Sequence, residues 1–141
     1  MKIAELTVGC HILCGSIYKG QEGTFKIPSH YATVVSLGED WVCTVADAEQ
    51  GDPDEYSIEE CEGIPLDTKA FISLGFHIVD GTNDRFFYNG KTFVGVNRDC
   101  VEIIENSHIS KFNGIEYVHQ LEVLFTILGI DYSFNCYADY A

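Results

Sequence analysis

The apolar residues of this chain come in short runs, cut at close intervals by Gly, Asn, Asp and Pro, and that spacing limits its fold more than any other feature. Short runs rich in β-branched and aromatic residues between turn formers read as strands, and only two stretches keep a helical period with legible ends. Over the first third, Leu6 to Leu13, Gly23 to Ile27, Tyr31 to Leu37, Trp41 to Ala46 and Glu55 to Glu59 read as strands. Thr33-Val34-Val35 and Val42-Cys43-Thr44-Val45 flank Gly38-Glu39-Asp40, which predicts a hairpin. So many short strands imply a small, strongly bent sheet or a barrel-like part over residues 1–63.

The remainder, 64–141, reads as helix, β-meander and helix. Asp67 is an N-cap for a helix over Thr68 to Leu74, with Leu66 and Phe71 as a hydrophobic staple. Gly75 is its left-handed C′ residue, and Phe76 is placed to fold back on Phe71. Asn89-Gly90, between Arg85 to Tyr88 and Thr92 to Val94, predicts a hairpin; Cys100 to Glu105 and Ile109 to Phe112 add strands, and Asn113-Gly114 offers another turn. A second helix covers Val118 to Leu128. Its apolar face carries Val118, Leu121, Leu124, Phe125 and Leu128, and His119, Gln120, Glu122 and Thr126 take the other side. Gly129 ends it, with Ile130 positioned to touch Phe125. The tail from Asp131 to Tyr140 alternates Tyr132, Phe134 and Cys136 as an edge strand would, and such an edge could pair a second copy into a homodimer. The expected class is α+β in a single domain, the last helix packed on the sheet.

Composition narrows function. Of 141 residues, 46% are hydrophobic, enough to bury a core, and the formal net charge is −14. So acidic a chain is poorly suited to grip nucleic acid or an anionic membrane. No apolar run approaches the roughly 20 residues of a membrane helix, and the start has neither a basic nor an apolar leader segment, so a soluble intracellular protein is expected. The six cysteines stand singly within apolar runs, as small buried hydrophobes do, and free thiols are expected.

Between Lys26 and Lys69 there is no Lys or Arg, whereas acids recur throughout, among them Asp47, Glu49, Asp52, Asp54, Glu55, Glu59, Glu60 and Glu62. The segment reads as a solvated loop, as an anionic surface for a basic protein partner, or as a divalent-metal site. An EF-hand is excluded, because a start at Asp52 puts Ser57 where Gly is needed and Gly63 where the bidentate Glu should stand. Cys10-His11-Ile12-Leu13-Cys14 is the one local Cys/His cluster. No second ligand pair follows it, and on a strand Cys10 and Cys14 lie ~13 Å apart, so a buried strand explains it better than zinc. His30, His77, His108 and His119 stand alone, and no phosphate-binding loop, dinucleotide glycine pattern or hydrolase signature is present.

Leu6-Thr7-Val8-Gly9, then Ile64-Pro65-Leu66-Asp67 through Leu74-Gly75-Phe76, and above all Tyr117-Val118-His119-Gln120-Leu121 followed by Leu124-Phe125 and Leu128-Gly129 carry a resemblance. With these elements the chain resembles a group of small proteins carried by phages and mobile elements of gut Bacteroidota. The resemblance implies a phage-associated or prophage-associated protein working in the bacterial cytoplasm, and it assigns no active site. Val123, Thr126 and Ile127 depart from the more aromatic and polar helix of that group.

The reading by elimination is a non-enzymatic protein-binding or accessory protein of a phage or mobile element, with no cofactor and no metal. One alternative is an acidic inhibitor, a nucleic-acid mimic that meets a host defence or nucleic-acid-binding protein through the acids from Asp47 to Glu62. The other is a small-ligand binder or an enzyme using His and Cys in a cleft.

Overall fold

Turn chemistry and strand periodicity sort the described residues into two antiparallel five-stranded sheets with two α-helices. The computed structural model describes residues 1–20, 23–46, 53–98 and 100–135, with backbone alone over 16–20, 24–29 and 45–46. In chain order these are β1 (His11–Gly20), β2 (Gly23–Leu37), β3 (Trp41–Ala46), β4 (Asp54–Ser57) and β5 (Cys61–Glu62), then α1 (Thr68–Ser73). There follow β6 (His77–Ile78), β7 (Phe86–Tyr88), β8 (Phe93–Asn97), β9 (Cys100–Glu105), β10 (His108–Asn113) and α2 (Val118–Leu128). The fold is α+β and mostly strand. Among the described residues no helix is long and apolar enough to cross a membrane.

Contacts divide the chain into two units: Met1–Ile64 with Val118–Val123, and Pro65–Tyr117 with Leu124 onward. In the first unit the strand order is β4-β3-β2-β1-β5. β4 and β5, its two edges, are joined by a single 3₁₀ turn, Ile58–Glu60, so the connection itself draws the edges together. Register shifts between Cys14 and Gly15 and between Val34 and Ser36 bend the long strands. Leu6, Cys10, Ile12, Cys14, Ala32, Val34, Val42 and Cys61 form the core.

Several strand limits differ from the sequence expectation. The first strand starts at His11, not Leu6, because Gly9 takes φ +95° and its N–H donates to Val34 O at 2.8 Å, a turn that a strand cannot run through. β2 passes through Pro28, where a break is expected; Pro28 stands opposite Gly15 beside the bulge, so the N–H that proline lacks falls where the ladder is already interrupted. The strand expected over Glu55 to Glu59 stops at Ser57, where Ser57 and Glu60 form a capping box.

The second unit follows the sequence closely. β6 to β10 form a meander in consecutive order. Asn89-Gly90 turns the chain as expected, with Tyr88 pairing Phe93 across it, Gly90 at φ +101° and Asn89 Oδ1 accepting from Thr92 N–H at 2.8 Å. Asp67 Oδ1 caps α1 by accepting from Ala70 N–H at 2.9 Å. Both helices close alike: Phe76 N–H donates to Phe71 O at 2.9 Å and Ile130 N–H to Phe125 O at 2.8 Å. Phe71 and Phe87 stack at 4.1 Å between centroids, and Phe76 stacks on Phe125 at 5.8 Å. The edge strand expected from Asp131 does not form over the described part. Residues 131–135 are irregular, with Tyr132 against Phe125 and Asn135 N–H donating to Ser73 O at 2.7 Å, because the buried Phe125 ring and the end of α1 claim this segment. Cys136 to Tyr140, the rest of the expected edge, lie outside the described residues.

Candidate functional site

Of the acidic residues singled out from sequence, the structure describes Asp54, Glu55, Glu59, Glu60 and Glu62. Asp54, Glu55 and Glu59 are exposed, and Glu60 and Glu62 are half-buried. Asp54 and Glu55 pair with Thr44 and Cys43 on the edge strand β4. Glu60 Oε1 accepts from the backbone N–H of Ser57 at 3.2 Å and its hydroxyl at 3.3 Å, which explains it as a turn cap. Asp47, Glu49 and Asp52 lie outside the described residues. Among the described residues no group of His, Cys, Asp and Glu is arranged to hold a metal ion.

The Cys-His-Ile-Leu-Cys segment serves the core of the first unit. Cys10 and Cys14 are buried and in no disulfide. Burial, aided by the Glu122 charge and opposed by the Thr7 backbone, pushes the Cys10 thiol up to about 11. Cys14 Sγ lies 3.9 Å from Cys61 Sγ on the paired strand, and sharing a hydrogen bond with that thiol, then burial, drives its pKa up. Neither is disposed to act as a thiolate nucleophile.

Two side chains placed on the polar side of the last helix are buried instead: His119 is 0% and Glu122 1% exposed. Glu122 Oε1 accepts from His11 N–H at 2.8 Å, and Oε2 lies 2.7 Å from His11 Nδ1. His119 Nε2 lies 3.6 Å from Glu5 Oε2. Burial lowers the pKa of His119, and Glu5 and Glu122 partly restore it. A buried carboxylate persists only when hydrogen-bonded, and here it fastens the first half of α2 to β1. Sequence periodicity missed this pair because its partners are far apart in the chain.

The second unit presents a different surface. Cross-strand register puts Tyr88, Phe93, Ile104 and Ile109 in one row on the outer face of the meander. Beside it runs a second row, Phe86, Gly95, Glu102 and Lys111. Ile109 is 63% and Phe93 38% exposed, and the Tyr88 and Phe93 rings stack at 4.2 Å. Phe86 lies over Gly95, where a Cβ would fall 2.8 Å from its ring, so only glycine lets the ring settle there. Val79, Thr82, Phe86, Phe93 and Ile104 line an apolar hollow of about 370 Å³ on this face. Glu102 and Lys111 pair at 3.4 Å on its polar side. No sequence motif marks the surface, and the period-two alternation of the strands was its only signal. Comparison of the chain with protein-family models, curated proteins and solved structures finds no match.

Proposed function

We propose that this protein is a non-enzymatic, protein-binding accessory protein of a phage or mobile element, acting in the bacterial cytoplasm. The observation that carries the binding reading is the row Tyr88, Phe93, Ile104 and Ile109, an aligned apolar strip on an antiparallel sheet with Phe93 and Ile109 exposed and Tyr88 and Ile104 half-buried. Contiguous exposed apolar surface of this kind marks partner sites, and a sheet holds its rows in fixed register without further ordering cost. The phage setting rests on the resemblance at Tyr117-Val118-His119-Gln120-Leu121 and its neighbouring segments. The five-stranded first unit supplies a second, acidic surface through exposed Asp54, Glu55 and Glu59, and this favours the acidic-inhibitor reading as the alternative.

The test is a tagged pull-down from host lysate, washed at about 0.1 M and about 0.5 M salt, because screening separates charge-driven from packed interfaces. The Phe93→Asp, Ile109→Asp double variant runs alongside, with its melting temperature measured. A partner retained at both salts and released by the double variant supports the apolar-face reading. A basic partner lost at high salt and indifferent to the double variant overturns it in favour of the acidic surface, and recovery of no partner overturns both.

A further inference from the structure

The chain has only two arginines, Arg85 and Arg98, and the second unit brings both to one cleft. They line, with Val96 and Asn97, an open cleft of about 460 Å³ at the Asn97 end of the sheet. The strand pairing fixes this placement: Val96 N–H donates to Arg85 O at 2.8 Å, and Asn97 pairs with Cys100 across the end of the β8–β9 ladder that carries Arg98. Both arginines are exposed, and among the described residues neither guanidinium is in an ion pair, although the chain carries 22 Asp and Glu.

Arg98 also holds a backbone conformation that suits another residue better. Its φ is +48°, and of the four other described non-glycine residues at positive φ three are Asn or Asp, the types that tolerate the left-handed region, and the fourth is Ser107. Turn propensity therefore does not explain arginine at this position. A guanidinium presents a planar fork that matches the two oxygens of a carboxylate or phosphate.

We infer that the Arg85/Arg98 cleft binds the anionic head of a small organic ligand, a phosphomonoester or carboxylate, clamped between the two guanidiniums with the Asn97 amide as an additional polar contact. The overall charge of −14 repels anions at long range, so recognition depends on a cation pair concentrated within a Debye length of the head group. The cleft has room for more than the head, and a neighbouring hollow lined by Arg85, Phe86, Gly95, Val96, Asn97 and Glu102 leads from it to the apolar surface at Phe86. An aromatic or aliphatic body attached to the anion would lie along that path. The site does not depend on the protein-partner reading above, since it requires only the cleft.

The experiment is an amide NMR titration of the full chain with phenyl phosphate, inorganic phosphate, benzoate and neutral benzyl alcohol at constant ionic strength. Phenyl phosphate is expected to give saturable shifts at Arg85, Val96, Asn97 and Arg98, with inorganic phosphate weaker and benzyl alcohol without effect there. Benzoate binding as tightly as phenyl phosphate would assign the carboxylate source, and weaker binding the phosphate source. Arg98→Asn should weaken binding at least tenfold with the melting temperature unchanged or raised, and Arg85→Gln should weaken it similarly. Absent or scattered shifts with phenyl phosphate and benzoate alike, or binding that survives in Arg98→Asn, overturns the inference.

Discussion

Glu122, buried in the first unit, receives both the backbone N–H of His11 at 2.8 Å and its Nδ1 at 2.7 Å, so one carboxylate secures the start of β1 to the helix. Removing the acceptor takes a charged partner from two half-buried donors of His11. Glu122→Ala should cost about 3 kcal/mol in urea unfolding, and Glu122→Gln, which keeps one acceptor oxygen, clearly less. Equal midpoints for the wild type and Glu122→Ala would show that the clamp contributes nothing.

His119 makes stability depend on pH. Burial lowers its pKa below the ordinary 6.5, so at mildly acid pH the unfolded chain binds a proton that the folded chain refuses. Stability should therefore be fully present above pH 6.5 and fall as the pH drops toward the folded-state value, by up to about 1.4 kcal/mol per pH unit. Urea midpoints at successive pH values would measure the slope. His119→Gln should flatten it whatever its effect on stability at neutral pH.

The thiols of the first core should be protected chemically as well as sterically. With Cys10 pushed up to about 11, its thiolate fraction near pH 8 is about a hundredfold below that of an ordinary cysteine. Iodoacetamide labelling mapped by mass spectrometry should spare Cys10 and Cys14 in the native protein and reach both in urea. Labelling at the same rate in both conditions would contradict the packing.

Gly95→Ala tests the seat of Phe86. The new methyl meets the ring at 2.8 Å, and the ring must tilt out of its place on the sheet. A loss of about 1–3 kcal/mol is expected. Combining it with Phe86→Leu should recover part of that loss, because the smaller side chain clears the methyl; a purely additive double variant would argue that the two residues do not meet.

Local chemistry was legible in the chain itself. Asp67, Gly75, Gly129 and Asn89-Gly90 each act on residues within one turn of themselves, and the helix caps and the hairpin they announce are present. Where an effect depends on distant partners, local reading fell short. His119 and Glu122 sit at polar positions by helical period, yet both are buried, Glu122 on the donors of His11, 111 residues away, and His119 beside Glu5 near the start of the chain. Pro28 reads as a strand break until the bulge beside it in β2 removes the need for its N–H.

Secondary-structure punctuation, acidic character and the apolar alternation of the meander strands are readable from the residues alone, since these depend on backbone conformation, composition and a period of two. Only the tertiary structure decided which apolar row stays open, which carboxylate is buried, and that Arg85 and Arg98 share a cleft. Those outcomes depend on strand register and on the partners it brings across the sheet, and no local pattern encodes either.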